Sequence, residues 1–80
     1  MPPATPAHLA FHHEAADRAA SAARSYLSAE AALADAEADV LNASQDDRDA
    51  LIEAHRTRLS ARDQARAHLM HALATWEATL

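Results

Sequence analysis

The chain has 80 residues, a formal charge of −5 and a pI near 5.5, with no cysteine, no glycine and no lysine. These numbers exclude disulfides and thiolate chemistry, argue against a generic nucleic-acid binder with its basic excess, and bound the chain to one small domain. Half of the residues are apolar, but 24 of those 40 are alanine and only sixteen carry a larger apolar side chain, so a lone copy has a thin core.

Residues 1–6, "MPPATP", read as a disordered lead-in that ends in a helix start, with Thr5 as cap and Pro6 at the first helical position. From there a first helix is predicted over about 7–42, because Ala, Leu, Glu and Arg dominate and nothing breaks the pattern. Asn42 is expected to close it in the left-handed conformation, the role glycine usually takes. The break at about 42–45 is short. Ser44 is expected to cap a second helix over about 45–79, with Asp47 in the capping-box position. Asp46, Asp47 and Asp49 then set negative charge against the positive end of that helix. A short connection between two long helices makes them antiparallel neighbours. The expected fold is all-α, a long antiparallel helical hairpin forming a single domain over residues 7–80.

The apolar faces agree with a coiled-coil seam. The first helix carries Ala15, Ala19, Ala22, Tyr26, Ala29, Leu33, Ala36, Val40 and Ala43 at alternating spacings of four and three. Alanine along one edge brings the neighbouring helix close, toward the short end of the 8–10 Å range. On the same alternation the second helix offers Ile52, His55, Leu59, Arg62, Arg66, Leu69, Leu73, Trp76 and Leu80. Ala20, Leu27, Ala34 and Leu41 make a second apolar line on the first helix, beyond what one neighbour covers. A homodimer that pairs two hairpins into a four-helix bundle would cover it, as would helices donated by another protein. Trp76 is the strongest single interface anchor, or else the residue that closes the bundle.

Three further constellations offer chemistry. His8 and His12 stand four apart and His68 and His71 three apart, spacings at which imidazoles share a zinc or similar ion, with Glu14 or Glu77 as further ligands. No HExxH or Glu-x-x-His motif accompanies them, and solvated helix histidines explain them more simply. His8, His12 and His55 on seam positions would also respond to pH between about 5 and 7 if enclosed. Arg56, Arg58, Arg62 and Arg66 concentrate positive charge in mid-helix, a face for nucleic acid, but Glu30 and Glu37 lie opposite in antiparallel register and only Tyr26 is near to stack a base. An ion-paired seam that fixes orientation is the expected reading. Serines without a His–Asp arrangement, and two helices without a deep pocket, give catalysis no footing.

"DALIEAHRTRLSA", residues 49–61, resembles the start of the second helix in the needle subunits of type III secretion, small hairpin proteins of similar layout. "NASQDD" departs from the proline-containing turn of those subunits. The acidic turn is similar to the tip of secondary-channel regulators of RNA polymerase, and Asp46, Asp47 and Asp49 would be the matching positions. Those regulators also carry a globular docking domain, and no such domain is expected within these 80 residues. The expectation from the sequence is a non-enzymatic protein that binds a partner or itself, adaptor- or co-chaperone-like. No apolar run approaches a membrane span and no secretory signal is visible, which points to the cytoplasm or a signal-less export route.

Overall fold

The computed structural model describes residues 5–80 and is two helices, α1 over Pro6–Leu41 and α2 over Arg48–Glu77, packed along their length. Of the expected lead-in, positions 1–4 lie outside the described residues. Thr5 and Pro6 are the cap and first residue of α1. Thr5 is extended, and its Oγ1 accepts from the His8 amide at 3.1 Å while its carbonyl accepts from the Leu9 amide. One side-chain cap of this kind is worth about 1 kcal/mol. The hairpin measures 66 × 15 × 13 Å, of which the 36 residues of α1, at about 1.5 Å each, span ~54 Å.

The turn differs from the sequence expectation at two points. Asn42 is not left-handed: its φ is −99° and ψ 1°. Its amide and its Nδ2 both donate to the Ala38 carbonyl, at 3.0 and 2.9 Å, and the Ala43 amide donates to the Val40 carbonyl at 3.3 Å, so the helix closes without a positive φ. Ser44 does not cap α2. Its hydroxyl donates to Asp47 Oδ2 at 3.0 Å, and its carbonyl accepts from the Asp47 amide at 3.2 Å. This tight turn takes residues 45–47 out of the helix, so α2 starts at Arg48 with Asp47 as N-cap. Asp47 makes no side-chain cap bond: its backbone is already helical (φ −94°, ψ −11°), not in the extended conformation that turns an N-cap side chain onto the first amides.

The seam is built mainly from alanine. On α1, Ala15, Ala19, Ala22, Leu33 and Ala36 are buried, and Tyr26, Ala29 and Val40 are half-buried between them. Ala22 is only 2% exposed, and with Ala19 and Ala72 it forms the closest packed cluster, walled by Leu69 and Trp76. On α2 the seam starts through Ile52, His55, Leu59 and Arg62 but then shifts. It continues through Ala65, Leu69, Ala72, Trp76 and Thr79, one residue earlier than heptad spacing places it at Arg66, Leu73 and Leu80. Arg66 is exposed, Leu73 lies at the rim and Leu80 is 78% exposed, whereas Thr79 is buried. The cause is steric. Ala72 packs with Ala19 and Ala22, and small side chains on both helices permit close approach, so the centre of the interface admits Ala72 and leaves the bulkier Leu73 at its edge.

Candidate interaction surfaces

Polar contacts hold the middle of the hairpin in register. Arg62 crosses from α2 to Glu30 on α1 at 3.3 Å and also bonds Asp63 at 2.9 Å. Tyr26 donates its hydroxyl to the same Glu30 carboxylate at 2.6 Å. That hydrogen bond, with Arg62 second, holds the Glu30 carboxyl below the ordinary carboxylate value. The same bond raises the Tyr26 phenol, and Glu30 followed by Asp63 raises the Arg62 guanidinium. Nearer the turn, His55 Nε2 lies 3.6 Å from Glu37. Both glutamates therefore face α2 as the antiparallel register requires, but the four arginines do not act together. Arg56 bonds Glu53 on its own helix, and only Arg62 turns inward. Asp46, Asp47 and Asp49 are all exposed around the turn.

The open end is closed by a different set of contacts. The Thr79 hydroxyl donates to the Trp76 carbonyl at 2.6 Å, so with its single proton spent it accepts from His12 Nδ1, also at 2.6 Å. The His12 and Trp76 rings stand 6.3 Å apart. Trp76 is half-buried, yet its Nε1 is enclosed with no hydrogen-bond partner. His68 and His71 line a groove on the other flank of the seam, with Ala15, Arg18 and Ser21. The sequence-predicted set His8, His12, His68 and His71 is thus not gathered at one place: His8 is exposed on the first turn of α1, and among the described residues no three His, Asp or Glu side chains cluster for a metal.

The second apolar line of α1 is open to solvent. Ala20, Leu27, Ala34 and Leu41 are all exposed, Leu27 by 65% and Leu41 by 82%. Leu9 extends the line to the first turns, and Ala16, Ala23, Ala31 and Ala38 fill the steps between at spacings of three and four. From residue 16 to 41 that line carries no charged side chain. At the open end Ala16, Ala19, Ala20 and Ala23 form a shallow groove with Leu73 and Trp76 of α2. At the turn end Val40 and Leu41 form a second with Ile52, His55 and Glu37. Among the predicted interface residues, Ile52, Leu59, Leu69 and Trp76 are half-buried on the seam, while Leu73 and Leu80 lie outside it.

Sequence reasoning missed the groove of Arg18, Ser21, His68, His71 and Thr75, and the link from His12 to Thr79. The first had a signal, since a turn near residue 44 sets residue 18 opposite residue 71. The second depended on Thr79 being the buried partner in place of Leu80.

Fold and faces together define an antiparallel α-hairpin with one satisfied seam and one unpartnered apolar face. The chain matches no family model, no curated protein and no solved structure. Among the described residues no helix is long and apolar enough to cross a membrane.

Proposed function

We propose that this chain is a non-enzymatic interaction protein whose first partner is a second copy of itself, joined through the outer apolar line of α1 into a four-helix bundle. The observation that supports the reading is the uncharged line from Ala16 to Leu41, with Leu27 at its centre and most of its side chains in solvent. A helical stretch from residue 9 to 41 is about 48 Å long at ~1.5 Å per residue. A single helix face about 10 Å wide then offers roughly 500 Å² per chain, or about 1,000 Å² in a pair, at the ~1,000 Å² lower bound for a specific interface. Alanine at most steps permits close approach, and Leu9, Leu27, Leu41 and Leu73 supply the larger apolar contacts. The grooves along this face are shallow and suit a helix better than a small substrate.

Light scattering over a range of concentrations tests this. The expected mass is twice the 8.6 kDa of one chain, and Leu27→Glu, which places a charge at the centre of the line, should return it to one. A well-folded monomer at every concentration, indifferent to Leu27→Glu, would sink the proposal. A poorly stable monomer would assign the same face to helices of another protein.

A further inference from the structure

On the flank of the seam away from the apolar line, the geometry points to a binding groove for a small tetrahedral oxyanion of the phosphate or sulfate class, formed by Arg18 of α1 and His68 and His71 of α2. This site is independent of the dimer face. Ala15 and Ala72, both buried, make its floor, and Ser21 and Thr75 complete its walls. No carboxylate lines it, in a chain whose formal charge is −5. One guanidinium, two imidazoles and the Ser21 hydroxyl therefore line one concavity from both helices, which is donor chemistry for an oxyanion. A metal ion fits the groove poorly, since Arg18 repels it and no third ligating side chain joins the two histidines among the described residues.

The surrounding charges set how the groove behaves. Glu14 bonds Arg18 Nη2 at 3.0 Å across an exposed turn. Such pairs contribute little and exchange readily with solvent, and a guanidinium has five N–H donors, so an anion can be bound beside or in place of Glu14. The Thr75 hydroxyl donates to the His71 carbonyl and serves mainly to shape the wall. Ser21 remains on α1 as a hydroxyl donor facing the same space. A neutral imidazole offers an anion one ring N–H, whereas a protonated one offers two and a positive charge. Anion binding therefore strengthens as pH falls, while the fixed charge of Arg18 anchors the anion at every pH and is required for it.

Sulfate is the probe for the pH dependence because its own charge is constant over this range. The full chain is titrated with sodium sulfate at constant ionic strength, following the histidine ring signals by NMR at pH 5.5 and 8.0. Saturable movement of the His68 and His71 signals is expected, with His8, His13 and His55 serving as internal controls, and affinity at least roughly tenfold weaker at pH 8.0. Arg18→Gln, at a side chain 67% exposed, should abolish saturation without disturbing the fold. Inorganic phosphate and phenyl phosphate, compared at one pH, then tell a free ion from a phosphoryl group carried on a larger molecule, and either preference is consistent with the site. The inference is overturned if all histidines move together and linearly, if affinity is the same at both pH values, or if Arg18→Gln binds as the parent does.

Discussion

The placement of Ala72 and Leu73 is the sharpest test of the packing. Heptad spacing puts Leu73 at the centre of the interface and Ala72 beside it, and the structure reverses the two. Ala72 is 7% exposed and touches Ala19 and Ala22, whereas Leu73 is 37% exposed at the rim. Ala72→Leu therefore drives three extra carbons between backbones held close by alanine on both sides. Helix propensity barely changes, since leucine is nearly as good a helix former as alanine. What remains is overpacking, which costs about 1–3 kcal/mol. For a domain of this size each kcal/mol shifts the midpoint by roughly 4–8 °C, so Tm should fall by about 5–20 °C. Ala74→Leu, two residues along and exposed, is the matched control and should stay within ~0.5 kcal/mol of the parent. Thermal unfolding followed by circular dichroism at one protein concentration reads both. Equal midpoints for the two variants, or a higher one for Ala72→Leu, would refute the shifted seam and restore Leu73 to its centre.

Two other outcomes follow from the polar contacts. Glu30 has its carboxyl held below its ordinary value of 4.5, so the stability it contributes is present above about pH 4.5 and is lost as pH falls through the lower folded-state value. Tyr26 is raised above its ordinary 10.0, so its share is present below about pH 10 and is lost as pH rises through the higher one. The Tm difference between parent and Tyr26→Phe should therefore be largest between about pH 5 and 10 and shrink on both sides; a difference constant from pH 3 to 11 would remove the Tyr26–Glu30 bond as its cause. At Trp76 the enclosed, unpartnered Nε1 carries a desolvation cost of ~1–3 kcal/mol that phenylalanine does not. Trp76→Phe should lose less than ~1 kcal/mol in denaturant titration, whereas Trp76→Ala, which strips the wall of the alanine cluster, should lose at least ~2 kcal/mol. Similar losses for the two would mean that the indole nitrogen is satisfied in solution.

How far the sequence could be read depended on whether local rules were sufficient. The hairpin was legible because two long runs of good helix formers flank one short polar break, and Thr5 and Pro6 mark a start on local chemistry alone. The α1 positions facing α2 were legible because alanine recurs on a strict seven-residue step. On α2 the same rule failed after Arg62. A period says which residues share a face, but which of two adjacent residues lies at its centre depends on the volume left by the opposite helix. The turn was misread for a related reason. Ser44 and Asp47 fit a capping box by type and spacing, yet they bond each other and delay the helix by three residues. That residue 18 lies opposite residue 71 follows from a turn near residue 44, but that Arg18, Ser21, His68 and His71 line one concavity depends on how both helices are rotated, which neither carries alone.

The distribution of burial also bears on why association would be part of folding here. Among the described residues six apolar ones are buried, of which five are alanine and Leu33 alone is large, while Leu9, Phe11, Leu27, Leu41, Met70 and Leu80 are exposed. Burying a leucine contributes ~1.5–3 kcal/mol and an alanine far less, so one hairpin leaves much of its attainable hydrophobic stabilisation on its outer faces. Anything that covers those faces binds the folded chain and not the unfolded one, adding ~2.7 kcal/mol at a concentration one hundred times Kd. That increment is comparable to the whole cost of overpacking at Ala72. The seam and the outer line are consequently coupled through α1, which carries both. A side chain that forces the seam open also changes the angle at which Leu27 and its alanines are presented, so a seam variant should weaken self-association as well as lower Tm.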